Sequence, residues 1–197
     1  MTETLNPVAA ERIFTEAHTA YRFTGEPVSD DELTRVYELA KFTPTAMNSQ
    51  PLRITFVRTE EARQKLLPLL SEGNRAKAAS APVVAILAAD TDFHEHLPHL
   101  NPQTAAARDQ LAGNVKHREA MARNNAWLQA GAFIMAVRAT GLDAGPMAGF
   151  DTAGVDEAFF AGTPLRSFLV VNVGHAAPDG TFPRNPRLAF DEAVTLI

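Results

Sequence analysis

Pro44-Thr45-Ala46-Met47-Asn48-Ser49-Gln50-Pro51 is the segment on which the reading of this chain turns. Its two prolines stiffen the backbone and keep the residue before each out of the helical region, so a preceding helix must stop before Pro44. Between them, Asn48 and Gln50 each offer a carbonyl acceptor and amide donors, which makes the loop both rigid and polar. Taken alone, the same segment also reads as an ordinary helix-to-strand turn whose amides satisfy local backbone groups.

The flanking sequence fits a loop between a helix and a strand. Before it, Ser29-Asp30-Asp31-Glu32 has capping-box spacing with acidic residues at the positive end of a helix dipole, and Leu33, Val36, Tyr37 and Ala40 follow at helical intervals. Asn6-Pro7 can cap and open an earlier helix carrying Val8, Ile13 and Phe14 on one side. After the loop, Ile54-Thr55-Phe56-Val57 alternates as a strand and Thr59-Glu60-Glu61 opens another helical stretch. Pro82-Val83-Val84-Ala85-Ile86-Leu87-Ala88 reads as a strand buried on both faces. A long helix is expected from about Glu119 to Thr140, ended by Gly141. Its Trp127, Leu128, Phe133, Ile134 and Val137 form a stripe broad enough for a central core helix or a subunit contact. The last strand, Phe168-Leu169-Val170-Val171-Asn172-Val173, ends at Gly174 before a proline-rich, arginine-bearing tail. Helices interleaved with a few strands in irregular order predict an α+β sandwich, a mixed central β-sheet covered by helices, in one domain spanning residues 1–197.

Three further segments complete a chemical set. Gly73-Asn74-Arg75-Ala76-Lys77 places Asn74 and Lys77 three residues apart, so on a helical turn both face one ligand. Gly145-Pro146-Met147-Ala148-Gly149 combines small residues that let a ligand approach the backbone with free N–H donors. Arg184 and Arg187 are suited to a phosphate. Each has a plainer reading: a solvated helix face for Arg75 and Lys77, and a tight glycine turn for Pro146–Gly149. In combination they suit one redox ring with a phosphate tail, a flavin mononucleotide. Amides meet its polar edge, an ammonium meets the charge that appears there on reduction, an N–H from Ala148 or Gly149 meets N5, and guanidinium groups meet the phosphate.

Composition narrows the alternatives. A formal net charge of -5 argues against an extended nucleic-acid surface, which needs clustered excess cations. With no cysteine there is no disulfide, thiolate-metal site or cysteine nucleophile, so redox chemistry requires a bound cofactor. The opening Met1-Thr2-Glu3-Thr4-Leu5-Asn6-Pro7 lacks the basic and apolar regions of a secretory signal, and no segment is long and apolar enough to span a bilayer, so a cytoplasmic protein is expected. No Gly-x-Gly-x-x-Gly follows a strand and no Walker-type loop is present.

These segments resemble the FMN-dependent nitroreductase family, over essentially the whole chain. Pro27-Val28-Ser29-Asp30, Leu70-Ser71-Glu72-Gly73-Asn74, His96-Leu97-Pro98, Gly141–Met147, Gly149-Phe150-Asp151, Phe159–Thr163 and Pro183-Arg184-Asn185-Pro186-Arg187-Leu188 are similar to its malonic semialdehyde reductase branch. The resemblance implies an intertwined homodimer with two FMN molecules in clefts at the subunit interface, each touched by both chains. It also implies a ping-pong cycle in which NAD(P)H reduces FMN and a small-molecule oxidant reoxidises it. The cofactor-binding residues it implies are His18, Thr19, Arg22, Pro44, Thr45, Asn48, Gln50, Asn74, Lys77, Pro146, Ala148, Gly149, Arg184 and Arg187, with Lys77 as electrostatic support and no obligatory protein acid or base. The family's N-terminal Arg-x-Ser element reads here Ala17-His18-Thr19-Ala20-Tyr21-Arg22, without the first arginine, which implies a weaker hold on the phosphate. Leu52 follows Gln50-Pro51 where an aromatic residue is usual.

Other readings stay open. The branch favours reduction of malonic semialdehyde or a similar 3-oxo acid to the 3-hydroxy acid. The wider family favours nitro compounds, quinones or enones. A non-catalytic FMN-binding or storage protein is a third possibility. Asp92, His94, Glu95, His96 and His99 contain metal-ligand chemistry, but without the spacing of a helical pair. Those residues are expected instead to flank a mobile segment over the pocket, with His96 or His99 attracting an anionic substrate. Lys116, Arg118 and Arg123 are expected on a solvated helix face.

Overall fold

A computed structural model of the protein describes residues 6–197; the expectation about a leader rests mostly on the first five residues, which lie outside them. Short helix α1 (Pro7–Ala10) is capped by the Asn6 side chain, which accepts from Val8 N, and runs into a π-helical turn at Glu11–Thr15. Its expected apolar side is not covered, since Val8 and Phe14 are exposed. Helix α2 (Asp30–Ala40) begins with the expected capping box: Ser29 N donates to Glu32 Oε2 at 2.8 Å while Glu32 N donates back to Ser29 Oγ. Leu33, Val36 and Ala40 face the core, but Tyr37 is half exposed.

Strand β1 (Leu52–Val57) follows the proline-bounded loop, and α3 (Glu60–Leu66) and α4 (Glu72–Ser80) lead to β2 (Val83–Asp90). Next come α5 (Leu97–Leu100), α6 (Ala107–Ala112) and the long α7 (Val115–Ala139), which Gly141 ends with φ of 94°. Strand β3 (Asp143–Met147), helix α8 (Thr152–Phe160), strand β4 (Leu165–Gly174) and a short α9 (Phe190–Ala193) complete the order.

The sheet has strand order β1-β2-β4-β3 with every neighbouring pair antiparallel, which corrects the expectation of a mixed sheet. β2 and β3 do run the same way, but β4 inserts between them and converts one parallel contact into two antiparallel ones. β3 was not expected as a strand because it contains Gly145-Pro146. It tolerates proline because it is an edge strand and needs donors on one side only.

Both faces of the sheet are covered. Val83, Ala85, Leu87 and Ala89 of β2 pack with α2 and α7, whereas Val84, Ile86 and Ala88 pack with Leu66, Leu70, Ala78 and Val155 on the opposite side. This explains the unbroken apolar run, which a strand wetted on one face would interrupt. α7 meets the sheet through Ala122, Ala126, Ala130 and Phe133, all fully buried, while Trp127 and Leu128 of its broad stripe are exposed.

Asp92, His94, Glu95, His96 and His99, expected to flank a mobile segment, lie in and beside a run of short helices. Phe93 and Leu97 are wholly buried and anchor it to the core. The histidine-rich residues within it separate onto different partners: His94 is buried with Nε2 3.3 Å from Glu95, Glu95 pairs with Arg108, and His96 approaches Asp90 at 3.8 Å.

Hydrogen bonds from the Ser29 backbone and side chain hold the Glu32 carboxyl below its usual pKa. A depressed folded value contributes stability above the unfolded carboxyl pKa and loses it as pH falls through the folded one. Glu32→Gln should therefore cost a few tenths of a kcal/mol at neutral pH, discounted for solvent exposure. Denaturant titrations should show that difference vanishing as pH drops below about 4, near the unfolded glutamate value.

Candidate active site

The predicted residues fall into two groups placed at different stretches of α7. The first group surrounds a cleft of about 430 Å³ at the C-terminal end of the helix. His18 and Thr19 reach it from the segment after the π-turn, Lys77 from α4, Pro146 from β3, and Arg184 and Arg187 from the tail. The second group, Pro44, Thr45, Asn48 and Gln50, sits in the loop pinned near the middle of α7 by Asn125 and Gln129.

In the cleft, the N-terminal segment is hooked onto edge strand β3: Ala20 N donates to Ala144 O at 3.0 Å. Gly145 permits this, because a Cβ there would collide with the Ala20 carbonyl oxygen. The tail closes over the segment, with Tyr21 stacked on Phe182 at 4.1 Å and His18 Nδ1 3.0 Å from Phe182 O. Arg184 Nη2 donates to the carbonyls of Thr15 and Ala17, and Arg187 Nη1 donates to those of Asn185 and Pro186. Arg22 does not line the cleft. It is half exposed and ion-paired with Asp179.

Lys77 stands in a short relay: its Nζ donates to Asn74 Oδ1 at 3.2 Å, and Asn74 Nδ2 donates to Gly149 O at 3.0 Å. Ser71 N donates to the same carbonyl. The turn after β3 is thus tied to α4 through acceptors only, while the N–H groups of Ala148 and Gly149 make no backbone hydrogen bond among the described residues. Gly149 is not left-handed, so its value is the absence of a side chain rather than an unusual angle.

The cleft also holds a residue that the sequence reading passed over. Arg138, on the last turn of α7, lines the wall with Lys77, Arg184 and Arg187. A basic residue at a helix C-terminus is ordinary helix-dipole chemistry, so nothing in the sequence marked it. Among the described residues no aspartate or glutamate lines the cleft, and its donor set of lysine, three arginines and histidine fits a phosphate tail.

The proline-bounded loop is strained and heavily pinned. Met47, Asn48 and Gln50 have φ of 56°, 52° and 42°, the left-handed region that side chains rarely adopt. Such residues cost about 1–3 kcal/mol each and persist only where the surroundings hold them. Here Asn125 of α7 accepts from Ala46 N at 2.8 Å, Gln129 accepts from Leu52 N at 3.0 Å, and Asn101 Nδ2 donates to Met47 O. Asn48 Nδ2 donates to Leu100 O and its Oδ1 accepts from Gln50 Nε2. Asn125, Gln129 and Asn101 are structural partners that no local motif announced.

A smaller cavity of about 210 Å³ beside the loop is lined by Lys41, Gln50, Arg53, His96 and His99 among others. Its floor is fixed by Arg53 Nη2 on Asp90 Oδ2 at 2.7 Å.

Residues 15–175 match the family model described as the nitroreductase family, a span that contains both the loop and the α4–β3 relay. The chain belongs to the nitroreductase family. It is 53% identical over 197 residues, the full length of both chains, to a protein of Leptothrix cholodnii named as a candidate NADH dehydrogenase/NAD(P)H nitroreductase. A Streptomyces coelicolor protein of the same designation is 54% identical over 186 residues, covering 94% of this chain and 92% of its own. Among solved structures, a candidate nitroreductase from Exiguobacterium sibiricum, determined in complex with FMN, superposes with a TM-score of 0.82 over all of both chains at 19% identity. The fold is therefore the nitroreductase fold.

Gly145→Ala tests the hook that builds the cleft wall. The added methyl must displace backbone, so a loss of about 1–3 kcal/mol is expected in urea denaturation, as for other overpacked sites. His18 and Thr19 should be displaced with it, and an unchanged denaturation midpoint would show that the wall tolerates the methyl.

Proposed function

We propose that this chain is an NAD(P)H-dependent flavin oxidoreductase acting as a homodimer, with FMN shared between the cation cleft of one subunit and the proline-bounded loop of the other. The observation that carries this reading is the separation of the two groups. Asn125, which holds the loop, and Arg138, which lines the cleft, lie about 20 Å apart along α7 at 1.5 Å per residue. One chain presents the loop amides of Asn48 and Gln50 in one place and the cluster of Lys77, Arg138, Arg184 and Arg187 in another. A two-fold partner supplies the missing half of each site.

Bound FMN would accept a hydride from NAD(P)H and deliver it to a second substrate after the nicotinamide leaves. The chain's own residues bind, orient and tune. Lys77, tethered to neutral Asn74 and facing no carboxylate, keeps its charge for the pyrimidine edge. The Ala148 and Gly149 amides serve N5, and Arg184 and Arg187 serve the phosphate. The loop brings Asn48 and Gln50 to the partner's flavin edge in a fixed shape.

For the oxidising substrate, a nitro, quinone or enone acceptor needs only positioning, and family membership favours that class. The narrower reading is a 3-oxo acid such as malonic semialdehyde. It is supported by the cavity beside the loop, where Lys41, Arg53, His96 and His99 offer N–H donors to a small carboxylate, with Lys41 and Arg53 also paired with Glu38 and Asp90. Its histidines are then the donors that an aldehyde oxygen requires. No helix among the described residues is long and apolar enough to cross a membrane. We take the chain as one domain, located in the cytoplasm and acting on small molecules.

The purified chain loaded with FMN should bleach when NADH or NADPH is added without oxygen, and should recolour on adding the oxidant. Bound flavin that stays yellow would make this a flavin carrier instead. Recolouring by quinone or nitro compounds but not by malonic semialdehyde would remove the 3-oxo acid reading alone. Lys77→Gln should leave a yellow protein whose flavin potential is more negative by on the order of tens of millivolts, read by dye-coupled reduction. Sedimentation should give two chains per particle, and a monomer that retains FMN would reject the shared cleft.

A further inference from the structure

We propose that Arg138 is a phosphate anchor of the cleft, a guanidinium delivered from the far end of α7 to the terminal phosphate of the flavin mononucleotide. The inference rests on the FMN reading above and extends it to a residue outside the motif segments.

Three observations converge on Arg138. It lines the cleft together with His18, Lys77, Arg184 and Arg187. Its Nε is buried without a hydrogen-bond partner among the described residues. The rest of the guanidinium is barely used, with Nη1 donating to Ile13 O at 3.1 Å and touching the Met135 thioether, and no carboxylate forms an ion pair with it among the described residues. A half-buried arginine without a counter-ion is rare, since a desolvated charge costs several kcal/mol unless it is compensated.

The surroundings sharpen the imbalance. Burial first, and then the positive charge of Arg184, push the Arg138 pKa below its ordinary value, with Asp143 opposing weakly. Arg184 and Arg187 have already given donors to backbone carbonyls, so they hold the tail in place as well as lining the cleft. Among the described residues Arg138 keeps its Nε and Nη2 donors uncommitted, and it stands on a long helix rather than in the tail. A phosphate monoester, carrying up to two negative charges, satisfies such a group through two parallel N–H···O bonds.

The same chemistry is carried by the 2′-phosphate of NADPH, so the test separates the two sources. Full-length wild type, Arg138→Gln and Arg138→Lys are titrated with FMN and, separately, with riboflavin, following flavin fluorescence. Arg138→Gln should weaken FMN binding about 10- to 100-fold, the fold-change of one lost charge-assisted hydrogen-bonding group. Riboflavin binding should be unchanged, and Arg138→Lys should fall between. The salt dependence of FMN affinity should also flatten in the glutamine variant.

Unchanged FMN affinity in Arg138→Gln would overturn the proposal while leaving the FMN reading intact. Equal weakening of FMN and riboflavin would also overturn it, because that pattern marks a merely structural residue. A rise in KM for NADPH but not NADH, with FMN held as before, would assign the group to the nucleotide and reject the anchor. If wild type binds neither flavin, the cofactor reading fails and this proposal falls with it.

Discussion

The close packing of α7 on the sheet is the constraint on which everything else rests. Alanines at 122, 126 and 130 remove side-chain bulk where the helix crosses the sheet, so its backbone lies near β2 and its own amides become the loop's framework. Asn125 and Gln129 are one helical turn apart and hold opposite ends of the strained segment. Further along the same helix, Arg138 enters the cation cleft. One rigid rod thus sets the distance between the two chemical groups of the chain, and loops alone could not hold it.

Electrostatics decides what the cleft is for. The chain is acidic overall, yet the cleft gathers lysine, three arginines and histidine and, among the described residues, no acid. The ion pairs of the structure lie elsewhere: Arg53 on Asp90, Arg108 on Glu95, Arg118 on Asp92, Arg22 on Asp179. Cations kept apart from available carboxylates are a local excess that costs free energy in the empty protein and is recovered by an anionic ligand.

Much of this was legible in the sequence where a physical signal was strong and local. The capping box at Ser29, the two-faced run of β2 and the glycine stop at Gly141 each obey one rule, and each appears where that rule puts it. The Asn74–Lys77 spacing likewise became a hydrogen-bonded pair. What stayed hidden depended on tertiary context. Gly145-Pro146 reads as a turn until an edge position makes proline acceptable. The short helices around His94 and Leu97 follow no strong local signal, and the burial of Phe93 and Leu97 that orders them is decided by distant partners. Arg22 pairs with Asp179, a partner distant in sequence that no local motif announces. Arg138 had no signal at all.

The three left-handed residues of the proline-bounded loop carry a further meaning. Their unfavourable backbone angles are met during folding, and the Asn125 and Asn101 side-chain amides that hold the segment are in place before any ligand arrives. A recognition surface assembled in advance has little rotational freedom left to surrender when something docks on it, so less of the contact energy is consumed by ordering. The outlay is made once per protein molecule rather than once per turnover, which is the economical arrangement for a catalyst that must release and rebind partners many times.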